Sequence, residues 1–294
     1  MVKEPKSFEP DSLQQLALAW GKFADFIMLS LPPGPRIVPF HTVINFQKAT
    51  TGLAMLLAMV YFNNFSLGCW IYTGLHGTYG LLWCFKEMVF PDQKWRTKIT
   101  IPSCLFVIQP ALIAYWLAGY LMVSGQAEQN PSAERIALCV FMCIFGSILM
   151  MCADLQKNVQ LKFKKGLVSD GLFTYTRNPN YLGEMMIYGS FAILVGRLEP
   201  FIVLATVWSL LFFPNMFMKD QLSLRKKEGW TEYQKRSWLL LPKFAGSTLL
   251  SLIVYGGLTG IGYGCYVEGS FAGLLLKLRP LLLECVSGIK VDLQ

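Results

Sequence analysis

Chemistry first suggests itself in this sequence where an acidic residue stands one turn inside an otherwise apolar run. Glu184 follows Asn178-Pro179-Asn180-Tyr181-Leu182-Gly183 and precedes Met-Met-Ile-Tyr-Gly, so a carboxylate is carried into a segment that reads as membrane-spanning. Such a group is costly in hydrocarbon unless it is paired or functional. Proline favours the first helical position, which sets a helix start near Pro179 and leaves free backbone N–H groups there to meet an anion. Arg177, Lys219, Arg225 and Arg236 in the flanking basic stretches supply counter-charge for phosphates, and Tyr175, Tyr181 and Tyr233 can stack or hydrogen-bond. The plainer reading is a basic loop with interfacial tyrosines; Glu184 and the order Asn-Pro-Asn-Tyr-Leu-Gly-Glu weigh against it. Metal chemistry finds little support, because there are two histidines, no H-E-x-x-H and no cysteine-histidine cluster. No strand followed by G-x-G-x-x-G is present either, so a soluble-type dinucleotide fold is not expected.

The elements that must position these groups are membrane helices. Hydrophobic residues make up 54% of the 294 and charged residues 15%, well below the roughly 25% of a soluble domain. Apolar runs long enough to cross about 30 Å of hydrocarbon recur throughout. The expected fold is all-α: a multi-pass transmembrane helical bundle of about seven spans, at about 49–65, 67–89, 100–124, 133–155, 181–197, 200–218 and 247–268, with a shorter apolar run near 270–285. Residues 10–31 look amphipathic and Pro32, Pro33, Gly34 and Pro35 then break any helix, so residues 1–47 read as an interfacial lead-in. No cleaved signal peptide is indicated at the N-terminus.

Positive charge falls on alternate connections. Lys86, Lys94, Arg96 and Lys98 lie between the second and third spans, Lys157 to Arg177 between the fourth and fifth, and Lys219 to Lys243 after the sixth; the opposite connections carry only Arg135 and Arg197. The three basic loops are therefore expected on one side, the cytosol. The net charge of +8 is used in this way, which makes nucleic-acid binding a poor reading. Asp154 closes the fourth span, and the fifth and sixth form a hairpin turning at Arg197-Leu198-Glu199-Pro200, so both of its cytosolic ends meet the same loops in one basic, aromatic-lined mouth. The eight cysteines lack C-x-x-C spacing and read as free, buried thiols. Gly256, Gly260 and Gly264 recur every four residues, a spacing suited to close helix packing. Asn64-Phe65-Ser66 is a glycosylation sequon that hugs the membrane.

The segment from Gly171 to Gly189, with G-L-F-T-Y followed by N-Y-L-G-E, then a hairpin, then a Lys-Arg-rich stretch ending in E-Y-x-x-R and L-L-P, resembles the C-terminal half of the steroid 5α-reductase family. More distantly it is similar to sterol C14 reductases and isoprenylcysteine carboxyl methyltransferases. The likeness covers roughly residues 145–244. It implies a multi-pass membrane enzyme, of the endoplasmic reticulum if the source is eukaryotic, in which residues 48–144 form the pocket for a hydrophobic lipid, residues 145–244 bind NADPH from the cytosol, and residues 245–294 are a C-terminal helix or helices and tail. Carried over by position, the implied cofactor residues are Asp154, Tyr175, Arg177, Asn180, Tyr181, Glu184, Arg225, Tyr233 and Arg236. Where 5α-reductases place an Asn one turn before the equivalent of Asp154, this chain has Met150, so that nicotinamide-side contact is not carried over. The methyltransferase branch usually shows R-H-P and a Glu-Glu pair; Arg177-Asn178-Pro179 and the lack of that pair favour the reductase, and an S-adenosylmethionine-dependent methyltransferase is the alternative.

Family reductases deliver hydride to the β-carbon of a double bond while a tyrosine and an acid polarise the conjugated carbonyl. Such donors must face the developing oxyanion in a dry pocket. The second span offers one candidate face, where His76, Tyr79, Trp83, Lys86 and Glu87 recur at helical spacing. Tyr79 is expected as donor, supported by His76 or Glu87; the plainer alternative makes Lys86 and Glu87 interfacial and His76 a packing residue. A third possibility is a non-catalytic lipid-binding scaffold. Hydrophobic lipid and membrane lipids are the expected partners, with no nucleic acid, no metal and a monomeric state.

Overall fold

The computed structural model describes residues 11–289. Among the described residues the chain is nearly all α-helix, with one short β-ribbon, and it divides into two compact units between Leu241 and Pro242.

The first unit opens with α1 (Ser12–Ser30), an amphipathic helix closed at its start by a capping box: the Asp11 carboxylate accepts from the Gln14 backbone at 3.0 Å, and the Gln14 side chain accepts from Asp11 N–H at 3.2 Å. The Pro-Pro-Gly-Pro break is followed by β1 (Arg36–Pro39), which pairs antiparallel with β2 (Lys98–Thr100). This ribbon is not readable from so short a pattern. It ties the start of α2 (Phe40–Tyr61) to the start of α4 (Ile101–Ala114). The second helix begins at Phe40 and not near residue 49, because the polar residues ahead of the apolar run find partners inside the bundle. Asn45 accepts from Trp83 Nε1 at 3.0 Å, and the buried Lys48 donates to Tyr188.

The chain continues as α3 (Leu67–Val89), then α4 and α5 (Leu117–Val123), which meet at a 52° bend, then α6 (Ala133–Phe163), α7 (Pro179–Val195), α8 (Leu198–Lys226) and α9 (Trp230–Arg236). A left-handed Gly196 (φ 67°) ends α7. Two of the three described π-turns, Cys104–Ile108 in α4 and Trp208–Phe212 in α8, each lie just before a proline, Pro110 and Pro214. Proline has no N–H for the carbonyl four residues back, and the wider turn accommodates that loss.

By length and composition α2, α6, α8 and α10 (Thr248–Val267) can cross a membrane, and the bent pair α4–α5 makes a fifth span if counted as one. The expected seven also include α3 and α7, which lie outside that group. The seventh helix has 17 residues and carries Glu184, and the third is diluted by His76, Lys86 and Glu87. These two helices carry His76, Tyr79, Lys86 and Glu184 of the candidate chemistry.

Two close approaches position them. At Gly80 a Cβ would run into the Lys48 carbonyl, so α2 and α3 touch backbone to backbone beside Tyr79. At Gly183 it would lie 2.7 Å from the Met150 backbone nitrogen, so α6 and α7 pack as tightly next to Glu184. The strap after α9 then runs along the start of α7: Arg177 N–H donates to Trp238 O at 3.0 Å, and Trp238 N–H to Tyr175 O at 3.2 Å. On the opposite side the Asn64 amide of the sequon donates to Val123 O at 3.0 Å and Gln129 Oε1 at 2.7 Å.

The second unit holds α10 and α11 (Phe271–Ile289). Of the three evenly spaced glycines only Gly264 packs closely, against Leu274, whereas Gly256 and Gly260 face open space. The expected glycine-lined interface is therefore confined to one contact. The seven cysteines described are all unpaired, and Cys152 is exposed where a buried thiol was expected.

Candidate functional site

Lys48 is the residue around which the site is built. It is 5% exposed, eight residues into an apolar helix, and its ammonium donates to Tyr188 Oη. Four aromatic rings enclose it, with the nitrogen 4.7 Å from the Tyr79 centroid, 4.8 Å from Tyr188, 5.3 Å from Trp83 and 5.6 Å from Tyr115. A desolvated cation over such rings gains on the order of 2 kcal/mol, which offsets part of the cost of its burial.

The α3 face expected from the sequence points into this cage. Tyr79 is 1% exposed, and among the described residues its hydroxyl has no hydrogen-bond partner. His76 lies one turn earlier, with Nδ1 2.8 Å from Tyr72 Oη, its ring stacked on Phe191 at 4.4 Å, and Nε2 buried without a partner among the same residues. Two polar atoms left unsatisfied side by side each cost roughly 1–3 kcal/mol, an arrangement retained more readily for a ligand than for packing. Glu87, the other expected support, is committed instead to Arg96 at 2.8 Å.

Toward the basic side, Lys86 pairs with Asp154 and lies 4.8 Å from the Trp83 ring centroid. Glu184 is near enough to feel this pair and Lys48 alike. Both lysines act on its charge, yet among the described residues its half-buried carboxylate makes no hydrogen bond or ion pair. The structure therefore brings together His76, Tyr79, Lys86, Asp154 and Glu184, and adds Tyr188 and Lys48.

The loop residues divide differently. Arg177, expected as an exposed phosphate ligand, is inside: its side chain is 10% exposed, Nε donates to Asp220 Oδ2 at 2.8 Å and Nη1 to Ser237 O at 2.7 Å. The buried Asp220 draws it in. Lys219 donates to Arg177 O at 2.9 Å and to Asn178 Oδ1, and Asn178 donates to Leu239 O at 2.8 Å. Tyr233 is buried and donates to Phe173 O at 2.8 Å; burial pushes its phenol above the ordinary tyrosine range. Arg225 reaches Asp11 at 2.5 Å and so fastens α1, and the Gln14 N–H together with this arginine holds the Asp11 carboxyl below its usual range. Arg236 is exposed, donates to Ser169 O at 2.6 Å and lies 5.7 Å from the Tyr233 ring centroid. Tyr175 is exposed, while Asn180 and Tyr181 are half-buried at the start of α7, the Tyr181 ring edge-on to Phe212 at 5.0 Å.

Sequence reasoning missed Lys48, Tyr115 and Asp220. A lysine at the edge of an apolar run reads as interfacial, and the signal that could have found it is the accompanying Asn45 and Gln47, too polar a cluster for the start of a lipid-facing helix.

No curated protein matches the chain. A family model described as a protein of unknown function (DUF1295) matches residues 20–237, which is most of the sequence, and a family of that kind lies in the steroid 5α-reductase superfamily. The chain belongs to the DUF1295 family, and the match takes in α2, α3, α6 and α7 with every residue of the site.

Proposed function

We propose that this protein is a membrane-embedded, NADPH-dependent reductase of a carbon-carbon double bond conjugated to a carbonyl, in a steroid-like or other hydrophobic lipid. The observation that carries the reading is Glu184, an unpartnered carboxylate at the basic end of α7, beside the Lys86–Asp154 pair and a cage with an unpartnered tyrosine hydroxyl. A carboxylate with open lone pairs suits ligands that present N–H or O–H groups, as a carboxamide head and ribose hydroxyls do. That fit is at the head of the cofactor. Of the four cations expected at its phosphates, Arg177 and Arg225 already hold Asp220 and Asp11, and Lys219 donates to Arg177 O and Asn178 Oδ1, which leaves Arg236 as the exposed one at the loop mouth.

The chemistry NADPH supplies when bound is a hydride, so the pocket must provide one proton for each double bond reduced. In this reading Tyr79 donates to the carbonyl oxygen, and His76 Nε2, buried on the same helix face, orients or replenishes that proton. Burial keeps bulk water from the reacting carbon and strengthens both contacts. An endoplasmic-reticulum location with the basic loops in the cytosol accords with this reading, since the cofactor would enter from that side.

Titrating purified protein with NADPH and, separately, with S-adenosylhomocysteine tests the assignment. The reductase reading expects saturable NADPH binding that Glu184→Gln weakens. Binding of S-adenosylhomocysteine alone would favour the methyltransferase alternative, and binding of neither would leave a lipid-binding scaffold.

A further inference from the structure

The second helix presents a graded face. Lys48, Thr51, Met55 and Ala58 recur at helical spacing, so one stripe runs from a caged ammonium, through a hydroxyl, to apolar side chains over roughly 15 Å at 1.5 Å per residue. Beyond Thr51 the stripe becomes the wall of an open cavity of about 510 Å³, lined by Ala54, Met55, Ala58, Trp116, Leu117 and Tyr120 among others. The cavity lies at the 52° bend between α4 and α5. Tyr115 and Trp116 form the bend and face different ways: the Tyr115 ring meets Lys48 and Tyr188, whereas Trp116 lines the cavity and donates Nε1 to Thr51 Oγ1 at 3.0 Å. Ala114 lines both this cavity and a void of about 10 Å³ against Tyr115 and Tyr188.

From this adjacency we infer that the cavity and the Lys48 cage form one ligand site, in which an apolar chain or ring system occupies the α2–α5 groove and an anionic or strongly polarised oxygen is held by Lys48. Charge complementarity selects the occupant. The cage holds a cation whose only hydrogen-bond acceptor among the described residues is a neutral phenol, the Glu184 carboxylate acting on it without a hydrogen bond, and the neighbouring Tyr79 hydroxyl and His76 Nε2 lack partners among the same residues. An oxyanion accepts from all of them, whereas an ammonium head would meet Lys48 with like charge. A long side chain supplying a mobile donor, the Tyr115 ring as the wall to be turned aside and the groove as the apolar seat together fix the ligand class: a hydrophobic molecule with a terminal carbonyl, enolate or carboxylate oxygen. This deepens the reductase reading, for which the oxygen is the carbonyl that becomes an enolate, and it assigns to Lys48 the charge stabilisation that the resemblance gave to an acid.

The test uses the full chain in lipid nanodiscs without cofactor. Diazirine-bearing palmitate, the corresponding methyl ketone and the corresponding primary amine are photo-crosslinked, and labelled peptides are mapped. The palmitate probe is expected to label residues 54–58 and 113–120 about tenfold more than the amine, with the ketone between them, while the exposed face of α6 at Phe141 and Ile148 labels equally with all three. Lys48→Arg should keep that order and Lys48→Met should abolish it. Equal groove labelling by the three heads in the unaltered protein overturns the inference without any variant, as does an order that persists in a folded Lys48→Met protein. Because no cofactor is present, failure to bind NADPH would remove the reductase reading and leave this result intact.

Discussion

The Lys48 ammonium and the Tyr188 phenol oxygen join α2 to α7 by a buried hydrogen bond between residues 140 positions apart in the chain. Neither partner carries a compensating negative charge. Lys48→Met removes the desolvation cost of a buried ammonium but leaves the Tyr188 hydroxyl without its donor, at roughly 1–3 kcal/mol, so the two changes nearly offset. The variant is therefore expected to leave the melting temperature in detergent nearly unchanged while removing ligand selectivity. A clear fall in melting temperature, of the size of a core truncation, would mark Lys48 as structural.

Arg177 reverses the expectation attached to it. As an exposed phosphate ligand it would have been replaceable at little cost in stability, but its guanidinium neutralises Asp220 in the interior. Arg177→Ala leaves that carboxylate buried and unpaired, which costs about 3–5 kcal/mol. The measurement is thermal unfolding beside Arg236→Ala, whose exposed side chain should cost less than about 1 kcal/mol. Equal stability of the two variants would remove the structural role.

Gly183 and Gly257 make a matched pair. A methyl group at Gly183 meets the backbone of α6, and at Gly257 it meets nothing within 4 Å. Gly183→Ala should lower thermal stability by about 1–3 kcal/mol through overpacking. Gly257→Ala should be neutral or gain up to about 1 kcal/mol in helix propensity. Unfolding curves for the two in the same detergent decide it, and a tolerated Gly183→Ala would mean that the α6–α7 approach is looser than described.

How much of this was legible in the sequence follows from the range of each interaction. The bundle was readable because apolar length is local, and Glu184 stood out because an acid in such a run is a local anomaly. The helix start at Pro179 was equally local, and α7 begins there. By contrast, nothing near Lys48 names Tyr188 as its partner, nothing near Arg177 names Asp220 43 residues on, and the two strands of the ribbon are about 60 residues apart. The face of α3 was visible from spacing. Which of its members share a cage and which turn to Arg96 was decided by the approach of α2 at Gly80.

Glu184→Gln isolates the cofactor end of the site. Among the described residues the carboxylate makes no hydrogen bond or ion pair, only longer-range attraction to Lys48 and Lys86, so the variant should still fold and elute like the parent. Gln offers one acceptor oxygen in place of two, and NADPH affinity is expected to fall about tenfold, equivalent to 1.4 kcal/mol. Unchanged affinity in a folded protein would reduce Glu184 to a helix-packing residue.

The central claim is transfer of hydride from NADPH to a lipid double bond within this cage. Purified protein incubated with NADPH deuterated at the transferable position and an extract of membrane lipids, followed by mass spectrometry, measures it directly. The expected product is a hydrophobic molecule carrying one deuterium and one solvent-derived hydrogen across a former carbonyl-conjugated double bond, formed in proportion to NADP and lost in Tyr79→Phe. No deuterated lipid from a folded protein, with a methylated lipid appearing when S-adenosylmethionine is supplied instead, would contradict it.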